Sequence, residues 1–139
     1  MTTDPIWLPC GAMVLVTALV WVKLYADRLS EMRSKRINPQ SLSTARTAAG
    51  KLENTQAADN FRNLFEVPVL FYVLCVAIAA NDGSTSGFVA AAWAFVSLRA
   101  LHSLIHVTYN RVTHRFLVYA ASTLLLFGMW TAFLLGIMQ

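Results

Sequence analysis

Long apolar runs alternate with polar interruptions along this chain, and the runs approach the length of membrane spans. Pro5–Val22, Val67–Asn81 and Phe116–Gln139 carry no charged residue, and Gly83–Leu98 is a fourth such run. The pattern predicts four helices, at about 6–29, 59–80, 87–109 and 114–137, within a single domain over residues 1–139. The connections at 81–87 and 110–113 are short, so the last three helices pack as antiparallel neighbours. The first connection, Ser30–Ala58, is polar and holds Asn38-Pro39 and Gly50 as turn punctuation. It is long enough for a short surface helix. The fold class expected is all-α, an integral membrane four-helix bundle. Pro68 lies inside the second helix, where its missing N–H removes a bond to the Leu64 carbonyl and predicts a kink.

Two of the runs are too short on their own. A spanning helix needs about 20 residues, and only 16 separate Asp82 from Arg99 while 15 separate Glu66 from Asp82. The third helix must therefore carry Arg99 and His102 into the membrane, and the second must carry Glu66 and Asn63. An ionisable group at that depth costs a few kcal/mol or more and usually marks a site. Asp59, Arg62, Asn63 and Glu66 fall within about 100° of arc on the second helix. Arg99, His102, Ser103, His106, Tyr109 and Asn110 share a stripe of about 120° on the third. On the fourth, Arg115, Tyr119 and Ser122 lie within about 60° of one another. Counted from the same end of the bundle, Glu66 is roughly 8 Å deep, His106 about 5 Å and Arg99 about 15 Å. The stripes converge in one half of the bundle.

Composition agrees with a membrane protein. The chain is 57% hydrophobic and 13% charged, against about 25% charged in soluble domains. The first run lacks a basic stretch before it and a small-x-small cleavage site after it, so it reads as a retained helix rather than a signal peptide. The net charge of +4 is set by topology and points to no nucleic acid. Lys and Arg fill the first connection, and Arg111 and Arg115 flank the third; the 81–87 turn has none. The positive-inside rule then places the first and third connections in the cytoplasm and both termini outside. Contact of the basic loop with lipid headgroups follows. Cys10 and Cys75 define no disulfide framework, and Cys75 reads as a structural thiol in an apolar helix.

The polar stripes admit a structural reading, in which Glu66 and Arg99 neutralise each other as a buried pair. That reading leaves two histidines, two tyrosines and further arginines at the same level unexplained, and a binding or catalytic site accounts for them. His102 and His106 are an i, i+4 pair, but the Glu-x-x-His motifs of carboxylate-bridged bundles are missing and no facing helix offers an interior histidine for haem. No metal is expected. Several arginines suit a carboxylate-bearing ligand, and an arginine beside a thiol favours the thiolate. The residues alone stop at an anionic ligand.

Asn63-Leu-Phe-Glu66 with Pro68, Arg99-x-x-His102, and Arg115 with Tyr119 resemble the motifs of the MAPEG family, the membrane-associated proteins in eicosanoid and glutathione metabolism. The Arg99-to-Asn110 stretch is similar to bacterial members, and the resemblance covers essentially the whole chain. It implies a homotrimer in membrane lipid, here a bacterial inner membrane, with glutathione bound between subunits as co-substrate. It implies contacts to glutathione from Arg62, Asn63, Glu66 and Tyr119, with Arg99, His102 and His106 lining or bracing the site. Arg115 would be the catalytic, thiolate-stabilising residue, and Arg28 or Arg33 a contribution from the first helix. The activity implied is a glutathione transferase or peroxidase acting on a hydrophobic small molecule; the alternative is a non-catalytic lipid-binding or scaffold protein of the same fold. Asp59 stands where the family often has an arginine, and His106 where a tyrosine is common.

Overall fold

The computed structural model describes residues 4–138, and every regular element among them is helical. The order is α1 (Trp7–Ser34), a short 3-10 turn (Pro39–Leu42), α2 (Ala45–Lys51), α3 (Gln56–Asn63), α4 (Val67–Ala80), α5 (Ser86–Val107) and α6 (Val112–Ile137). Four stretches are long and apolar enough to cross a membrane: α1, α3 with α4 as one span over Gln56–Ala80, α5 and α6. The 22 residues of α5, the shortest, reach about 33 Å at 1.5 Å per residue, enough for a hydrocarbon core of about 30 Å.

Helix α1 runs to Ser34, past the end expected at residue 29. Its polar extension is supported by i, i+4 ion pairs, Lys23–Asp27 at 2.6 Å and Glu31–Lys35 at 2.7 Å. It stops where Arg36 turns left-handed at φ 52°. The Glu31 carboxylate also accepts the backbone N–H groups of Glu53 (2.7 Å) and Asn54 (3.2 Å), tying the long connection back to α1. Within that connection Asn38 caps the 3-10 turn, and Thr44 with Thr47 forms a reciprocal capping box on α2.

The second span differs from a simple kinked helix. It begins at Gln56, earlier than residue 59, and is broken between Asn63 and Val67. Pro68 is the second residue of α4, and Glu66, just before that helix, has left helical geometry at φ −99°, ψ −103°. A proline ring clashes with the preceding turn as well as removing a donor. The disruption therefore falls upstream of the proline: the Leu64 carbonyl loses its usual N–H, and the Asn63 carbonyl keeps only a long bond from the Glu66 N–H at 3.4 Å.

The apolar core fills the half of the bundle that holds the N-terminal end of α1 and the α4–α5 turn. Phe71 of α4 stacks on Phe95 of α5 at 4.5 Å and 21°, both fully buried, with Met13, Leu74, Ala92 and Leu126 around them. Helix association in lipid rests on this van der Waals fit rather than on hydrophobic transfer. At the same end, Asp4 accepts the Ile6 N–H at 2.9 Å and the Ser84 hydroxyl, fastening the start of the chain to the α4–α5 turn. Large apolar side chains such as Leu15, Leu19, Val73 and Leu124 remain exposed, the surface that lipid covers.

Candidate functional site

The opposite half of the bundle has a polar centre. Arg99, His102, Ser103 and His106 of α5 are all buried, and so is Asn60 of α3. They sit one turn apart on α5 and face α3 on one side and the start of α6 on the other. Arg99 is fully buried; its Nη2 donates to the Asn63 carbonyl at 3.0 Å, and its guanidinium lies 5.3 Å from the centre of the Tyr119 ring. The break between α3 and α4 supplies that acceptor. In an unbroken helix the Asn63 carbonyl would face the N–H of residue 67.

Glu66 and Arg99 do not form the buried pair that neutralisation would require. Glu66 is exposed, and among the described residues no ion pair joins it to Arg99. The arginine is held instead by a carbonyl and an aromatic face, which leaves the carboxylate free. Depth along a helix axis and angle around it place the two residues at one level, but Glu66 stands exposed at the break before α4.

The start of α6 is locked to α5. His102 Nδ1 lies 3.1 Å from the Arg115 carbonyl oxygen, and Arg115 Nη1 lies 3.2 Å from His106 Nε2. The same Nη1 donates to Asn110 Oδ1 at 2.8 Å. Asn110 itself is left-handed at φ 47°, a conformation that asparagine tolerates better than most residues. His102 also packs against Tyr119 and His106, with ring centres 5.7 Å apart in each pair. Arg115 and Tyr119 are half-buried, so each reaches both this network and the surface.

Five nitrogen atoms in the polar layer are buried without a hydrogen-bond partner: Asn60 Nδ2, Arg99 Nε and Nη1, His102 Nε2 and His106 Nδ1. Each unmet group costs roughly 1–3 kcal/mol, so their concentration in one layer is a costly way to join helices. Asn60 was missed by the sequence reading. Its hydrogen bond with Ser103 at 3.3 Å became legible only with the earlier start of the second span.

The remaining expected residues face outward. Arg62 and Glu66 are exposed and Asn63 half-buried. Arg62 approaches Asp59 at 3.9 Å, so the aspartate that replaces the family's arginine neutralises part of this surface. Beside them a cleft of about 220 Å³ is lined by Arg28, Ala48, Leu52, Asn54, Asp59 and Arg62. Arg28, not Arg33, supplies the α1 arginine of this wall, and its Nε is buried without a partner. Thus the chain gathers Arg99, His102, His106, Arg115 and Tyr119 into one network, and carries Arg62 and Glu66 on an open face. Among the described residues no group of three or more His, Cys, Asp or Glu side chains is arranged to hold a metal ion.

Fold and polar layer together define a multi-pass integral membrane protein with a conspicuous charged centre in one half of its helical bundle. The MAPEG family profile matches residues 6–135, and the chain belongs to that family. Membership places it among the membrane proteins of eicosanoid and glutathione metabolism. No curated protein and no solved structure matches the chain significantly.

Proposed function

We propose that this protein is a membrane-bound glutathione transferase or peroxidase acting on hydrophobic electrophiles that reach it from the bilayer. The observation that carries the reading is Arg115: a half-buried guanidinium at the start of α6, aimed by Asn110 and His106 and beside Tyr119. Glutathione, when bound, supplies the thiol nucleophile. The residues present suit a ligand with two carboxylates and an ammonium group. Arg62 and Arg28 offer cations, Asn63 an amide, and Glu66 a carboxylate with no ion-pair partner among the described residues. Arg115 places positive charge where a thiolate would develop, which lowers the cost of deprotonation. Arg99 and His102 act from inside, holding the Asn63 carbonyl and the Arg115 main chain respectively.

One protomer leaves Arg62 and Glu66 on an outward face, so the site is completed between subunits of a homotrimer. The basic end faces the cytoplasm of a bacterial inner membrane and both termini face out, following the positive-inside rule. Titration of glutathione into detergent-solubilised protein tests the reading. Binding that is lost in Arg115→Ala and weakened in Glu66→Gln supports it, together with conjugation of an aryl halide. Absence of conjugation and an Arg115→Ala variant identical to wild type would end it.

A second reading is a lipid-binding or scaffold protein of the same fold. The Asp59–Arg62 contact favours it, because it discharges part of the cationic surface. Purified protein that retains lipid and takes up no glutathione would decide for this alternative.

A further inference from the structure

A groove of about 230 Å³ runs between α1 and α5. Val16, Leu19 and Val20 line it on α1, and Ala100, Leu104 and Val107 on α5, over a length of about 10 Å. At the end nearest the basic connection it meets Lys23, the one charged side chain among its described lining residues. The Lys23 ammonium is partly exposed and donates to both carboxylate oxygens of Asp27, at 2.6 and 2.7 Å. An ammonium has three N–H groups, so one is left for a ligand. Asp27 in turn lines a second hollow, a polar cleft of about 290 Å³ that it shares with Glu31, Lys35 and Glu53. Three carboxylates there face one ammonium, and Lys35 is already divided between Glu31 at 2.7 Å and Glu53 at 2.8 Å. The Lys23–Asp27 pair is thus the boundary between an apolar groove and an acidic cleft.

Depth puts that boundary at the lipid headgroups. Counted along α1 from Trp7 at the opposite surface, Lys23 is about 24 Å and Asp27 about 30 Å away, at the edge of a hydrocarbon core of about 30 Å. Trp21 and Tyr25, both exposed and with ring centres 4.8 Å apart, sit at the same level, as interfacial aromatics do.

We propose that the groove and the ion pair bind one phosphatidylethanolamine molecule, with an acyl chain between α1 and α5, the phosphate on Lys23 and the primary ammonium on Asp27. The order of charges along the membrane normal selects this headgroup. In the lipid the phosphate lies nearer the acyl chains and the ammonium nearer water. On α1 the cation lies about 6 Å deeper than the anion, so each headgroup charge meets its opposite. Phosphatidylcholine carries the same charges, but its quaternary ammonium has no N–H to give a carboxylate. Phosphatidylglycerol offers the acidic cleft no cation and brings negative charge toward Asp27, Glu31 and Glu53. A merely basic surface would favour that anionic lipid; the Lys23–Asp27 order favours the zwitterion. The site uses none of Arg28, Arg62, Arg99 and Arg115, so it stands or falls apart from glutathione binding.

The test is native mass spectrometry of the full chain, delipidated in detergent and titrated separately with the dioleoyl forms of the three lipids. Phosphatidylethanolamine should bind first and about fivefold tighter than either of the others, the measure of about one exposed charge-assisted hydrogen bond. The double variant Lys23→Asp with Asp27→Lys keeps an i, i+4 pair but reverses its order, and the preference should vanish while the circular dichroism stays that of wild type. Ala100→Trp fills the groove and should weaken binding of all three lipids. Equal affinities in wild type, tighter binding of phosphatidylglycerol, or a preference that survives the reversed pair would each overturn the proposal. Unchanged binding in Ala100→Trp would overturn the placement of the acyl chain. The wild-type comparison decides the headgroup even if a variant folds poorly.

Discussion

Replacing Arg99 by methionine separates what the buried charge does for stability from what it does for the site. Methionine keeps much of the volume and removes the guanidinium. The loss comprises one charge-assisted hydrogen bond to the Asn63 carbonyl, roughly 1.5–3 kcal/mol. To this is added a desolvated cation–π contact with Tyr119, about 2 kcal/mol. Against this, two unpartnered buried donors, Nε and Nη1, disappear, and each had cost roughly 1–3 kcal/mol. The sums nearly cancel, so Arg99→Met should unfold within about 2 kcal/mol of wild type in a mixed-micelle SDS titration. Arg99→Ala, which also opens a cavity, should lie about 3 kcal/mol lower. Glutathione affinity should behave differently. Without Arg99 the Asn63 carbonyl loses its shorter hydrogen bond at the helix break and keeps only the Glu66 N–H at 3.4 Å, and binding should weaken at least tenfold, about 1.4 kcal/mol. An Arg99→Met protein destabilised by 4 kcal/mol or more would show that Nε and Nη1 are already satisfied in the native protein. Unchanged glutathione affinity would refute the bracing role.

Pro68→Ala restores an N–H toward the Leu64 carbonyl, so the break should close and glutathione affinity should fall severalfold while stability is kept, measured by titration and SDS unfolding. Phe71→Ala and Phe95→Ala should each cost about 3–5 kcal/mol, and the double variant should fall short of the sum by about 0.5–1.5 kcal/mol, the coupling of a stacked pair. Glu31→Gln should speed hydrogen exchange at the Glu53 and Asn54 amides, which the carboxylate now holds. Hydrogen bonds to Glu31 and then Glu53 hold the Lys35 ammonium above the ordinary lysine range. A raised folded value means that its contribution is complete below the unfolded pKa of about 10.4 and fades as pH rises through the folded value. Cleavage of the 35–55 connection by an alkaline protease should therefore accelerate only above about pH 10.4, and Lys35→Met should remove that step.

The spans were legible because membrane depth turns polarity into a length measurement. Arg99 and Glu66 had to enter the bilayer for their helices to cross it, and Arg99 is indeed buried. The same reasoning failed for their partnership, since it treated the second span as one continuous helix. Pro68 announced a disturbance, but neither its position upstream nor the exposure of Glu66 follows from a helical wheel. Asn60 went unnoticed because the predicted helix began only at residue 59, leaving that turn at its frayed edge.

The break after Asn63 also bears on how such a chain is built. Arg115 finds its partners His106 and Asn110 only nine and five residues back, so the last hairpin can satisfy this charge as it leaves the translocon. Arg99 meets only the Tyr119 ring within its own hairpin, and its hydrogen-bond acceptor lies 36 residues earlier. Because synthesis runs from the N-terminus, that carbonyl is already in the bilayer when Arg99 emerges. The interrupted helix is thus a receptor for a charge still being made, and the order of translation becomes part of what allows an arginine to be delivered so deep.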